Sequence, residues 1–153
     1  MIGPVPCFSA LERRDLPTIL QVEAGMADGW TESQLHAELE SAVGWQYGLR
    51  TEDGRLTAYV LGRSVVDEAE ILRLAVLPAW RRQGLATGLL AMLRAALFRR
   101  GVRTCHLEVR AANRAALALY ARAGFVVSGR RKHYYKNPEE DAVLMTANWT
   151  EEG

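Results

Sequence analysis

Arg81-Arg82-Gln83-Gly84-Leu85-Ala86-Thr87-Gly88 is the stretch that decides how this chain is read. It stands between two segments of different periodicity. Before it, Glu68 to Val76 has the aliphatic pattern of a strand, ended by Pro78, which cannot donate to a sheet ladder. After it, Leu85, Leu89, Leu93 and Leu97 recur at i, i+4, i+8 and i+12 with Ala86, Leu90 and Ala96 beside them. That spacing predicts a helix to about Arg100, stopped by Gly101. A helix entered this way presents free backbone N–H groups and the positive end of its dipole, a ready site for phosphate. Gly84 and the small Ala86 let phosphate oxygens come close to the backbone, and Arg81 and Arg82 add positive charge. The loop contains no lysine, so it is not a P-loop, and Gly84 to Gly88 is out of register with the dinucleotide fingerprint. An ordinary strand-to-helix turn with solvated arginines explains the loop alone equally well.

Upstream, Phe8 to Leu11 reads as a short strand. Asp15 is placed to cap a helix from Leu16 to Ala24, with Pro17 in its first turn. After a loop from Gly25 to Trp30, Thr31-Glu32-Ser33-Gln34 is a capping box, and Leu35, Leu39 and Ala42 continue one apolar face. Trp45 to Arg50 and Leu56 to Val66 are strands joined by a Glu52-Asp53-Gly54-Arg55 turn, with Asp67-Glu68 turning into the strand that precedes the loop. Downstream, Val102 to Val109 is a strand and Asn113 to Ala123 a helix ended by Gly124. Phe125 to Arg130 and Ala142 to Ala147 close the chain as strands. This order predicts an α/β (α+β) domain: a mixed sheet with helices on both faces. No repeat or Pro/Gly-rich linker divides it, so residues 1–153 are expected to form one domain.

With net charge +1, nothing in the composition attracts nucleic acid or a membrane globally, and no apolar run is long enough to span a bilayer. Residues Met1 to Ala10 lack the pattern of a secretory signal. Cys7 and Cys105 sit in apolar strands and read as reduced, buried thiols of a cytoplasmic protein rather than a disulfide framework. His36 and His133 have no metal-ligand spacing with each other or with the cysteines, and no metal is expected.

Taken together, these segments resemble a known family. Arg81-x-x-Gly84-x-Ala86 is similar to the Q/R-x-x-G-x-G/A signature of the GNAT superfamily of N-acetyltransferases. Glu68 to Val76 resembles that family's fourth strand. Leu107-Glu108-Val109-Arg110-Ala111-Ala112-Asn113 and Ala118-Leu119-Tyr120-Ala121-Arg122-Ala123-Gly124-Phe125 resemble its next strand and helix. Arg130-Arg131-Lys132-His133-Tyr134-Tyr135, followed by Glu140-Asp141-Ala142-Val143-Leu144-Met145, looks like the closing segment of one branch, the bacterial ribosomal-protein alanine N-acetyltransferases. The close likeness runs from about Asp67 to Met145. The N-terminal third matches in layout, with Trp30-Thr31-Glu32 similar to the branch's Trp-Ser-Glu.

The resemblance implies a mostly antiparallel central sheet splayed between strands 4 and 5. It implies acetyl-CoA as cosubstrate, with its pantetheine arm in the splay against backbone groups of Leu74, Ala75 and Val76. The pyrophosphate would be wrapped by Arg82, Gln83, Gly84, Leu85, Ala86 and Thr87, with Arg81 also on the cofactor side and Asn113 touching the cofactor. Asn113 is also a good helix cap, and two readings stand: a cap alone, or a cap that contacts the cofactor.

The same resemblance places Glu108 as base and Tyr120 as the acid that protonates the leaving sulfur. An α-amine titrates at about 7.7–8.0, so a base assists it near neutral pH. A structural reading of Glu108 is a salt bridge to Arg110 or Arg73, and one of Tyr120 is a half-buried aromatic. His106 shares a strand face with Glu108 and reads as a proton relay or, more simply, as surface. Arg130, Arg131, Tyr134 and Tyr135 are expected to line the acceptor side, or to form a solvated basic loop. Glu23 and Trp30 are weaker candidates for the same groove. The implied acceptor is a protein or peptide N-terminus, that of a ribosomal protein in particular. The alternatives are a small amine or lysine acceptor, or a non-catalytic acyl-CoA-binding domain.

Overall fold

The computed structural model describes residues 7–150; the first six residues of the expected signal-free terminus lie outside that range. Strand β1 (Cys7–Ala10) leads through a turn of 3-10 helix (Arg13–Asp15) into α1 (Leu16–Ala24) and α2 (Glu32–Leu39). Then come β2 (Gly44–Arg50), β3 (Leu56–Val65) and β4 (Glu68–Val76), a second 3-10 turn (Pro78–Trp80), α3 (Leu85–Arg99), β5 (Thr104–Arg110), α4 (Arg114–Arg122), β6 (Val126–Tyr135) and β7 (Glu140–Asn148). Among the described residues seven strands form one sheet in the order β1-β2-β3-β4-β5-β7-β6. In it β4 and β5 run parallel and the other neighbours are antiparallel.

Strand β3 shows why helices lie on both faces. Its residues from Leu56 to Gly62 are all buried, so it cannot have a wet side. Ala58 and Val60 point into a core built with Leu89, Leu93 and Leu97 of α3 and Tyr120 of α4. Tyr59 and Leu61 point the other way, against Leu16 and Ile19 of α1 and Leu35 of α2. The sheet residues of this second core come from β3 and β4, and the same face over β5, β7 and β6 carries half-exposed polar side chains such as His106, Glu108 and Thr146.

The capping box at Thr31 forms as expected: Thr31 Oγ1 accepts from the Gln34 N–H, and Gln34 Oε1 accepts from the Thr31 N–H at 2.8 Å. Other local readings are corrected. Asp15 has helical backbone angles and makes no side-chain cap for α1; its buried carboxylate accepts from the Glu12 N–H at 2.7 Å and grips Arg50 at 2.8 and 2.5 Å. The turn before β4 falls on Val66-Asp67 rather than Asp67-Glu68. Strand β6 continues to Tyr135, because Tyr135 pairs with Glu140 of β7 after an irregularity in the ladder. Cys105 is buried as expected, and its thiol is pushed up to about 12 by burial, but Cys7 is exposed. Among the described residues no helix is long and apolar enough to cross a membrane.

Candidate active site

Two irregularities open the sheet. The register of β4 against β3 moves from Leu61↔Arg73 to Gly62↔Ile71, which leaves Leu72 as an extra, bulged residue. The parallel ladder between β4 and β5 stops at the same height: Glu68 to Ile71 pair with Thr104 to Leu107 and nothing beyond them pairs. The two strand ends therefore diverge, and a cleft of about 450 Å³ lies between them, walled by Leu72, Arg73 and Leu74 on one side and Glu108, Val109 and Arg110 on the other.

Backbone polar groups face this gap. The Leu77 N–H donates to Thr57 O at 2.9 Å, so Leu77 is turned toward β3. By the alternation of an antiparallel ladder, the N–H and C=O of Val76 and Leu74 are turned away from β3, into the splay. The Val76 carbonyl indeed accepts from Arg81 Nε at 3.1 Å. Ala75, between them, is buried against the α1–α2 core.

At the mouth of the gap stands the Arg81–Gly84 loop. Arg82 and Gly84 both have left-handed backbones (φ 64° and 73°), and Gly84 is the N-cap of α3 without any side-chain cap. The first intrahelical bond is donated by Gly88, so the N–H groups of Leu85, Ala86 and Thr87 have no helical partner. A Cβ at Gly84 would meet no atom within 4 Å, so the space above this first turn is open. Three unpartnered donors, open space and two exposed arginines fit the diphosphate of a CoA-type molecule.

The chemical side chains divide between the two sides of the sheet. Cys105, Leu107 and Val109 of β5 face the α3–α4 core, so Glu108 faces the opposite side. Tyr120 comes from the α3–α4 side, where it is 8% exposed, packs edge-on against Phe125 with centroids 5.7 Å apart, and lines the cleft. Burial pushes its hydroxyl up to about 12, so it is a phenol rather than a phenolate at any ordinary pH. Asn113 also reaches the cleft, while its Oδ1 caps α4 by accepting from the Ala116 N–H at 3.1 Å.

Glu108 pairs with neither Arg110 nor Arg73. Its Oε1 lies 3.2 Å from Arg131 Nε. Arg73 is held by Glu23, at 2.6 Å, and Arg110 by Asp28 and Glu140. Glu23 is fully buried: it accepts from the Trp30 N–H at 2.9 Å and from the Tyr59 hydroxyl as well, which makes it a structural anchor for the α1–α2 segment rather than a groove residue. Trp30 sits over the Arg73 guanidinium, 5.7 Å from ring centre to carbon.

Of the closing segment, Tyr135 lines the cleft and its hydroxyl is pushed up to about 12 by burial and the nearby Glu108. Tyr134 is exposed, edge-on to Tyr135, with the Glu108 charge raising its hydroxyl above the usual range. Arg131 stands over the Tyr134 ring, 5.5 Å from its centre, whereas Arg130 is taken by Asp141 at 2.9 Å. His106 is linked to Glu68 at 2.7 Å and to Thr146 at 3.0 Å in a half-exposed polar row on the open face of the sheet. Sequence reasoning missed Asp28 and Met26, which wall the cleft from an aperiodic loop, and gave Arg110 no role of its own. The alternation Glu108-Val109-Arg110 was the available signal that Arg110 shares the Glu108 face.

Comparison with known proteins agrees with this fold. The profile of the acetyltransferase (GNAT) family matches residues 12–125. The chain is 38% identical over 142 residues to the ribosomal protein bS18 alanine N-acetyltransferase of Escherichia coli K12, covering 90% of this chain and 94% of that relative. It is 39% identical over 143 residues to the protein of the same name from Salmonella typhimurium, with the same coverage. Among solved structures, the Escherichia coli ribosomal-protein alanine N-acetyltransferase superposes with a TM-score of 0.87, at 36% identity and 97% coverage of both chains. The Vibrio cholerae spermidine N-acetyltransferase, solved with CoA and spermine, shares the fold at TM-score 0.81 and 19% identity, covering 94% of this chain and 95% of that one.

Proposed function

Because this chain belongs to the GNAT family of acetyltransferases, we propose that it uses acetyl-CoA to acetylate the N-terminal α-amine of a protein, specifically the N-terminal alanine of a small-subunit ribosomal protein. The observation that carries the chemistry is the gap between β4 and β5, with Glu108 on one side of the sheet and Tyr120 on the other. Similarity along 90% of the chain to enzymes named for that acceptor supports the choice of amine. Such an acceptor implies a cytoplasmic setting.

Bound acetyl-CoA supplies a thioester to the gap. The N–H groups of Leu85, Ala86 and Thr87, with Arg81, Arg82 and Gln83 around Gly84, hold its diphosphate. Leu74 and Val76 offer the arm a strand edge, and Asn113 presents its amide N–H to the arm while its oxygen caps α4. The Val76 N–H is placed to donate to the carbonyl oxygen as charge builds there.

The amine arrives from the Glu108 side. Its nitrogen bonds to the acetyl carbon, the carbon–sulfur bond breaks, the amine proton goes to the Glu108 carboxylate, and the departing sulfur takes the Tyr120 hydroxyl proton. Net, the amine exchanges a hydrogen for acetyl and CoA leaves as the thiol; Glu108 then gives its proton to solvent and the Tyr120 phenolate takes one back, which restores both side chains. Arg131 holds the Glu108 carboxylate, and Tyr134 and Tyr135 form the acceptor wall beside it, while Arg130, paired with Asp141, lies next to Val143 on the other face of the strand.

An assay of thiol release with acetyl-CoA and a short Ala-starting peptide, followed by mass spectrometry of the product, tests this. The expected result is one acetyl group on the α-amine. Turnover with spermidine or an N-blocked lysine peptide, and none with the Ala-starting peptide, would overturn the choice of acceptor while leaving an acetyltransferase.

A further inference from the structure

Arg110 ends β5 two residues beyond Glu108, on the same side of the strand. Its guanidinium takes Asp28 as a two-point pair, Nε to Oδ2 at 2.6 Å and Nη2 to Oδ1 at 2.7 Å. Nη1 donates to Glu140 Oε1 and to the Pro138 carbonyl, each at 3.1 Å, and Nη2 donates to the Lys136 carbonyl at 3.1 Å. The Tyr135 ring lies against the same group, 4.4 Å from its centre to the guanidinium carbon. Glu140 passes the connection on by accepting the Ala112 N–H at 2.6 Å, at the approach to α4.

One planar side chain therefore joins three pieces of backbone that are far apart in sequence: the α1–α2 segment, the end of β5 and the β6–β7 turn. The two outer pieces are irregular backbone, the kind that moves most readily when nothing ties it. Both lie on the Glu108 side of the gap, and Asp28, Arg110 and Tyr135 are themselves cleft walls. The Arg110 side chain is only 17% exposed, and the pairing with Asp28 holds the Asp28 carboxyl below the usual carboxylate range. A lysine could supply the charge but not the fork, since it offers one nitrogen where this site uses three.

We infer that Arg110 is a positioning residue for the acceptor: with Asp28 it fixes the width of the opening on the Glu108 side and seats Tyr135 at its wall. This rests on the reading that the acceptor amine enters from that side. The interaction is directional in its consequences. The α3 turn and the β4 edge touch neither Asp28 nor the Arg110 side chain, and Asn113 meets Arg110 through the backbone alone, its N–H donating to the Arg110 carbonyl at 3.0 Å, so loosening the side-chain clamp acts on the acceptor and spares acetyl-CoA.

Asp28→Asn and Arg110→Lys, singly and together, test it in the full-length enzyme with an Ala-starting peptide. The expected result is a rise of about tenfold in KM for the peptide, less than the roughly 100-fold that a full 1 Å misplacement of a reacting group can cost. KM for acetyl-CoA stays within about twofold in the same assays, the scatter expected where no contact is touched. The double variant is no worse than Arg110→Lys alone, because both changes break one contact. An unchanged peptide KM in Asp28→Asn, or an acetyl-CoA KM that rises in step, overturns the inference. Amide hydrogen exchange reads the clamp without any acceptor: Asp28→Asn should speed exchange both at residues 26–30 and at residues 134–140. If the peptide is not a substrate of the unmodified enzyme, the acceptor reading fails, yet coupled loosening of both segments still supports the clamp. Exchange confined to residues 26–30 overturns it.

Discussion

The Glu108 carboxylate and the Arg131 guanidinium meet at 3.2 Å although their strands are not neighbours. Strand β7 runs between β5 and β6, and Arg131 crosses it beside Ala142, whose methyl is its register partner and takes up little room. The base proposed for acetyl transfer is thus held from two strands away, in a position that local spacing around Glu108 does not reveal.

Glu108→Gln keeps the shape of the side chain and removes its charge. Arg131 is more than half exposed, so losing its partner costs little stability. The expected outcome is a fall in kcat of roughly 100-fold or more, the usual contribution of a general base, with acetyl-CoA affinity unchanged by calorimetry. Retained turnover would remove Glu108 from the reaction.

Tyr120→Phe removes one hydroxyl and keeps the ring against Phe125. The expected outcome is a kcat lower by about 100-fold or more, with CoA binding and melting temperature nearly unchanged. The same burial predicts an alkaline effect. The Tyr120 hydroxyl sits near 10 in the unfolded chain and is pushed up to about 12 in the fold. A buried phenol with a raised value favours folding below pH 10, and that contribution is lost as pH rises from about 10 toward 12. Urea unfolding at pH 9, 10 and 11 should show stability falling across this window, and by less in Tyr120→Phe.

Gly84→Ala puts a methyl group on a left-handed residue, which costs about 1–2 kcal/mol. For a domain of this size that is a drop of roughly 2–8 °C in melting temperature. The methyl also enters the open space above the free N–H groups of α3. KM for acetyl-CoA should rise several-fold, while peptide KM at saturating acetyl-CoA stays the same. A change in stability alone would argue against anion binding at this turn.

Asp15 and Arg50 form a pair with side chains only 6% and 7% exposed. Burial pushes the Asp15 carboxyl up, but hydrogen bonds from Arg50 and the Glu12 N–H outweigh it and leave the group below its usual value. Asp15→Ala strands the guanidinium, and chemical denaturation should show a loss of about 3–5 kcal/mol. Because the folded value is depressed, the contribution of Asp15 is present above about pH 4, its unfolded value, and disappears as pH falls below it. The variant should therefore show a shallower acid loss of stability than the parent.

By itself the sequence determined the order of elements, the loop and helix of Arg81 to Arg99, the cap at Asn113 and membership of a mixed sheet. These depend on neighbours within a few positions: leucines four apart define a helix face wherever it packs, and Thr31 caps Gln34 within one turn. The likeness of Leu107 to Phe125 to a known family supplied Glu108 and Tyr120, because motif spacing is a linear property. Tertiary structure decided the partners. Asp15 has the residue type and place of a cap, yet Arg50, 35 positions away, offers its carboxylate a charged partner in a dry site. Arg131, rather than the nearby Arg110 or Arg73, reaches Glu108, because each of those is taken by a closer carboxylate. The joining of Asp28 to Arg110 spans 82 positions. Contacts of this kind depend on which strands become neighbours in the folded sheet, a choice made by the burial of both faces of β3 and the bulge in β4 and not by any local periodicity.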